Sequence, residues 1–185
     1  MNIKIKPLLT TIGIILSISM ISLSAVEKQS SLISKEKKLW EDERIAITLD
    51  KIERTDSYPS EFKMPGYRYP PPKEGYDFIV LCVTITQIKD IHLGMPERSA
   101  QTKPTLVDTH GNVYELANVK YTGVEYKEGL TGSDYEIIQG AKGIFLFKTP
   151  KNEEPKIFKF VYSYWESWEE KVIKYGQIDI KISQN

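Results

Sequence analysis

YDFIVLCVTITQI, residues 76–88, is the stretch on which the fold turns. It is rich in β-branched and aromatic residues, the side chains that suit a pleated surface. From Phe78 to Val83 it is apolar at both odd and even positions, the pattern of a central strand covered on both faces. Cys82 lies inside this run and reads as a small buried hydrophobe.

On the N-terminal side stands TDSYPSEFKMPGYRYPPPKEG, residues 55–75. Its five prolines, Pro59, Pro65, Pro70, Pro71 and Pro72, lack amide donors and fix φ, which excludes a helix or a central strand and leaves a loop. Further upstream Ile45, Ile47 and Leu49 alternate with Ala46 and Thr48, and Ile52 breaks the phase. That predicts a strand with a bulge near Asp50–Lys51. Downstream, Thr105–Thr109 and Val113–Leu116 flank His110-Gly111-Asn112, a hairpin turn in which Gly111 or Asn112 takes a positive φ. Strands are predicted at Lys120–Tyr126, Ile144–Lys148, Ile157–Tyr164 and Tyr175–Ile182, the last with Ile178, Ile180 and Ile182 inward. Without a long amphipathic helix, and with no connection containing the dozen or more helical residues of a parallel crossover, these elements specify an all-β chain. The expected architecture is an immunoglobulin-like antiparallel β-sandwich of 7–8 strands over residues 44–183.

Residues 1–25, MNIKIKPLLTTIGIILSISMISLSA, carry Lys4 and Lys6, and no charge follows until Glu27. This is the basic and apolar layout of an export signal, with Ser22 and Ser24 as small residues at a cleavage site before Ala25. Pro7 to Val26 also approaches the ~20 residues that span a bilayer, so a cleaved signal peptide and an uncleaved signal-anchor both fit. Either way the positive-inside rule puts the rest of the chain on the outer face, secreted or anchored on the cytoplasmic membrane. Residues 26–43 are charged and read as a tether. Cys82 is far from the signal, so no cysteine stands ready for a lipid.

Without residues 1–25 the chain has 23 Lys and Arg against 25 Asp and Glu, a balance of −2. A nucleic-acid partner would call for a basic excess, so none is expected. A single cysteine forms no internal disulfide, and about 160 residues must be held together by packing alone.

Three segments share a pattern: Glu74-Gly75-Tyr76-Asp77-Phe78 before the apolar strand, Leu106-Val107-Asp108-Thr109-His110-Gly111-Asn112-Val113-Tyr114, and Gly143-Ile144-Phe145-Leu146-Phe147-Lys148-Thr149-Pro150. Together, over about residues 40–183, they resemble the telokin-like domain of unknown function 4352. The resemblance implies an immunoglobulin-like sandwich on an exported prokaryotic protein, many of which are lipoproteins. The family is also similar to a mycobacterial secreted immunoprotective antigen. It implies no enzymatic activity and no cofactor.

Among chemically active residues, Asp108 and His110 are neighbours, and Ser133 or Ser99 would complete a Ser-His-Asp set. Spacing alone does not orient such a set, and a turn accounts for both residues. The two histidines, His92 and His110, form no metal-binding motif, and Ser133-Asp134-Tyr135-Glu136 lacks the spaced carboxylates of a calcium loop. No catalytic, metal or cofactor residue is therefore assigned.

Aromatic residues form two candidate partner-binding groups: Tyr58, Phe62, Tyr67 and Tyr69 in the proline loop, and Tyr164, Trp165 and Trp168 near the C-terminus. For each group packing against the sandwich is the leading reading and a recognition surface the second, since rigid amphipathic rings bury area at low entropy cost. Trp165, Trp168 and Val172 are spaced as on one or two helical turns. The reading is an exported, non-enzymatic interaction or cell-envelope module with a protein, peptide or glycan partner, touching membrane only through residues 1–25 if these are retained. An extracytoplasmic hydrolase and a membrane-tethered accessory subunit are the alternatives.

Overall fold

The computed structural model describes residues 39–96, 103–127, 134–167, 169 and 172–182. Residues 1–25, read above as an export signal, most of residues 26–43, Ser99, Ser133 and Trp168 lie outside the described residues. In chain order the strands are β1 (Leu39–Glu41), β2 (Ile45–Thr55), β3 (Tyr76–Gln87), β4 (His92–Gly94), β5 (Thr105–Asp108), β6 (Val113–Lys127), β7 (Asp134–Pro150), β8 (Pro155–Trp165) and β9 (Lys174–Lys181). Every pairing is antiparallel.

β3 explains its own sequence. Ile79, Leu81, Val83 and Ile85 point into the main core and are fully buried. On the opposite face Phe78 and Val80 join Phe62 and Leu146 in a second, smaller core. Tyr58 of the proline loop packs against it, so the loop is what makes β3 apolar at both parities.

β1, β2, β3 and β7 lie side by side, and β7 also pairs with β6. At its start β6 pairs with β5 and afterwards with β7, so this strand carries the chain from one layer to the other. β5 continues to β8, and β8 to β9. Short β4 bridges β8 and β7, and the layers close almost into a barrel. The core between them is dominated by Phe145, Phe147, Phe158 and Phe160, all fully buried and in mutual edge or tilted contact.

The expected all-β antiparallel sandwich is thus the observed one, with nine strands among the described residues rather than 7–8. The additions, β1 and β4, are three residues long, too short for alternation to register. β1 falls within the stretch read as a tether. The separate strands predicted at Val113–Leu116 and Lys120–Tyr126 are one strand, β6, bent at Leu116/Asn118 and Thr122/Val124. The predicted bulge in β2 lies between Leu49 and Lys51, and β9 buries Ile178 and Ile180 while exposing Lys181. Trp165 belongs to no helical turn: it ends β8 opposite His92 of β4, which supplies the backbone pairing.

Candidate functional site

Asp108 ends β5 and is 2% exposed. One carboxylate oxygen, Oδ1, accepts the amides of His110 (2.8 Å) and Asn112 (2.9 Å); Oδ2 accepts Asn112 Nδ2 (2.8 Å) and Tyr114 Oη (2.7 Å). Gly111, at φ 87°, supplies the left-handed residue that lets the chain reverse around this carboxylate. Burial alone would raise the Asp108 carboxyl, but the bonds from Tyr114, Asn112 and His110 overcome it and hold the group well below the usual carboxylate range. Burial and Asp108 push the Tyr114 phenol to about 12, so it stays protonated and donates.

His110 is exposed, and its Nδ1 lies 2.7 Å from Glu153 Oε2 on the β7–β8 turn. The bond to Glu153, and then its charge, raise the imidazole's pKa. From the other side Arg54 donates to the carbonyls of Pro150 (3.2 Å) and Glu153, and the Lys151 amide donates to the Gly75 carbonyl (2.9 Å). The turn is therefore gripped by β2, β5 and the end of the proline loop.

Asp108, His110 and Glu153 bring one ligand atom each within 4.8 Å of one another. A carboxylate offers about four lone-pair positions, and Asp108 has four donors on them. A cation or a substrate proton at Asp108 would have to displace a bond that holds the turn. The arrangement is chemically a lock for the hairpin. Sequence spacing disclosed the Asp108–His110 half of it; Tyr114 and Glu153 were not singled out, because only strand pairing brings them in.

A matching lock stands between β1 and β2. Asp42 Oδ1 accepts the amides of Arg44 (2.7 Å) and Ile45 (3.0 Å), and Oδ2 accepts the hydroxyl of Tyr162. Burial raises the Asp42 carboxyl, and the bonds from Tyr162, Ile45 and Arg44 more than reverse this. Arg44 lays its guanidinium 4.2 Å above the Tyr164 ring, a cation–π contact. Tyr164 is 6% exposed; Trp165 is fully buried and stacks on His92 at 5.5 Å. These two members of the C-terminal aromatic group thus face inward.

The proline loop divides its aromatics differently. Tyr58 stacks on Tyr69 (4.8 Å) and meets Phe78 edge-on (5.4 Å), while Phe62 is buried beneath. Asn118 of β6 donates to the Tyr58 hydroxyl (3.0 Å), and Lys120 donates to the Glu61 carbonyl (3.0 Å). Three aromatics are thereby anchors. Between them Met64-Pro65-Gly66-Tyr67 makes a turn closed by the Tyr67 amide on the Met64 carbonyl (3.3 Å), with Gly66 at φ 84°. Pro then Gly at the central positions is the type II signature. The Met64 amide donates in addition to the Tyr69 hydroxyl (3.0 Å). Met64 is left 57% and Tyr67 69% exposed.

Cys82 is half-buried on the outer face of β3, and burial pushes its thiol above the ordinary value, away from the reactive thiolate.

Comparison with known proteins finds no matching family model and no matching curated protein. A solved structure of an uncharacterized β-sandwich protein from Clostridium difficile 630 is similar at a TM-score of 0.36 and 16% identity, over 75% of this chain and 90% of that one.

Proposed function

We propose that this chain is an exported, non-enzymatic interaction module of the cell envelope, with the Met64–Tyr67 turn as its recognition element. The observation that carries the reading is the division of labour in the proline loop. Phe62, Tyr58 and Tyr69 are spent on holding the loop to β3, while Met64 and Tyr67 project at 57% and 69% exposure from a turn fixed by Pro65 and Gly66. A pre-ordered apolar tip loses little entropy on binding a protein, peptide or glycan. The saturated Asp108 carboxylate weighs against the hydrolase alternative, since its oxygens are already committed to the hairpin. Export rests on residues 1–25, and membership of the telokin-like family on the three segments quoted above.

The test is affinity capture from the native envelope fraction with the wild-type chain and with Met64→Ser/Tyr67→Ser. Both substituted side chains are exposed, so folding is expected to be unchanged by circular dichroism. Loss of a captured component with the double variant supports the reading; an identical set of captured components overturns it. N-terminal sequencing of the recovered chain decides between a cleaved signal and a retained anchor.

A further inference from the structure

The near-barrel stays open between β1 and β9. Among the described residues β1 pairs only with β2, and β9 only with β8. β1 comes close to β9 without pairing to it. It stands level with the start of β9, because Asp42, just past β1, takes the Tyr162 hydroxyl, and Tyr162 lies opposite Gly176. Along the rest of β9 no strand pairs with the outer edge among the described residues. Native edge strands are commonly blunted by brevity, a proline, a bulge or an inward-pointing charge. β1 is three residues long. β9, KYGQIDIK, has none of these devices: it runs for eight residues, its register with β8 never shifts, and it points Ile178 and Ile180 inward.

Backbone direction and charge together choose what fits this edge. Successive residues of a strand turn their N–H and C=O to opposite edges. The Ile182 amide donates to the Lys156 carbonyl (2.8 Å), so the even-numbered residues bond β8, while Gln177, Asp179 and Lys181 turn their backbone groups outward. The Asp179 and Lys181 side chains are exposed, and neither forms an ion pair among the described residues; Asp179 Oδ1 accepts Gln177 Nε2 (2.7 Å). A second copy of β9, laid antiparallel with the two-fold axis at Ile180, sets Asp179 opposite Lys181 twice. Both are outward-bonding residues, so each pair exchanges two backbone hydrogen bonds as well as opposite charges. On the inward face Ile180 meets its own copy, and Ile178 meets Ile182. Moving the axis to Asp179 sets aspartate against aspartate, and moving it to Lys181 sets lysine against lysine. An axis at Ile178 leaves the charges facing Gln177 and Tyr175. We infer that β9 is a self-association edge, through which two copies of this chain pair antiparallel about Ile180 and join their β8–β9 layers into one sheet. This interface does not involve the Met64–Tyr67 turn and stands or falls apart from it.

The experiment uses the chain as recovered from the envelope fraction, kept in mild detergent so that the comparison is the same whether or not residues 1–25 remain. Sedimentation velocity follows association with concentration. One strand pair is a small interface, so a dissociation constant in the micromolar range or weaker is expected. Asp179→Lys and Lys181→Asp each turn both charge pairs into like-charge pairs, and each should weaken association roughly tenfold or more. An equimolar mixture of the two variants restores both opposite-charge pairs in every mixed dimer, so it should associate as the wild type does. The double exchange Asp179→Lys/Lys181→Asp within one chain should do the same. Both positions are exposed, and circular dichroism checks that the variants remain folded. Carbodiimide coupling of isotopically light and heavy wild-type copies should link Asp179 of one to Lys181 of the other, read by peptide mass spectrometry.

A wild-type chain that is still monomeric at about 1 mM overturns the inference. So does association that neither single substitution weakens, since the contact then lies elsewhere on the molecule. If the single variants dissociate but their mixture and the double exchange do not recover, the edge does not pair about Ile180 and the inference also falls. Rescue by mixing, together with the Asp179–Lys181 link between copies, supports it, because registers centred on residues 178, 179 or 181 do not bring these two side chains opposite each other.

Discussion

Asp108 and Asp42 solve one problem in the same way. Each closes a strand-to-strand turn by accepting two backbone amides on Oδ1, and each gives Oδ2 to a tyrosine hydroxyl, Tyr114 or Tyr162. A half-buried or buried carboxylate is costly unless its lone pairs are filled, and the tyrosine fills the side facing the core. Asp108→Asn places an amide donor against donors already present, so it should lower the unfolding midpoint by several degrees at neutral pH. The sign with pH follows from the depressed carboxyl. Its contribution is full above the ordinary value of 3.8 and is lost as pH falls through the lower folded value. Thermal unfolding of wild type and variant should therefore converge in strong acid. His110 runs the other way. Its pKa is raised by Glu153, so the pair stabilises fully below the ordinary 6.5 and fades as pH rises through the folded value. At 70% side-chain exposure the effect is small. His110→Gln should differ from wild type in acid near pH 5 and match it above pH 8; a gap of constant size across that range would refute the assignment.

Among the elements, β9 was legible because burial imposes period-two order on it, β3 because cover on both faces fills it with apolar β-formers at both parities, and the bulge of β2 because Ile52 falls out of phase. β1 and β4 were not, since three residues carry no period, and β4 takes its backbone bonds from the distant β7 and β8. The candidate site divides along the same line. The proline loop announced itself by composition, yet which aromatics it buries depends on Asn118 and Lys120 of β6, and nothing local marks them as neighbours. Phe62→Ala tests that dependence. Its side chain packs with Phe78, Val80 and Leu146, and its loss should cost about 3 kcal/mol while speeding proteolysis within residues 63–73; unchanged cleavage would mean that Tyr58 and Tyr69 suffice as anchors. Strand pairing sets a second constraint. Gly176 of β9 lies opposite Tyr162 of β8, and a Cβ there would come within 2.3 Å of the Tyr162 ring. The ring is fully buried and is held by Asp42, so it has little room to yield. Gly176→Ala should destabilise by roughly 1–3 kcal/mol in chemical denaturation.

Across the whole molecule, connectivity decides how the chain unfolds. β7 pairs with β3, β6 and β4, and β6 passes from one layer to the other, so neither layer holds a complete set of neighbours without the other. β2 and β3 form a local pair, but β3 then waits for β7, some 60 residues later. A sandwich wired in this way should unfold in one cooperative step, and its far-apart pairings should make refolding slow, roughly milliseconds to seconds. The proline loop is the exception built into the design, because it adheres only through the small outer core and a few side-chain bonds from β6. Native-state hydrogen exchange should show the amides of residues 56–74 opening well below the global free energy, with those of β3, β7 and β8 exchanging only through global unfolding. Far-ultraviolet dichroism and tryptophan fluorescence should give coincident denaturation curves, because Trp40 of β1 and Trp165 of β8 belong to different layers of one linked sheet. Two separated transitions would show that the β1–β2–β3 layer folds by itself, and the linkage through β7 would then be no more than packing.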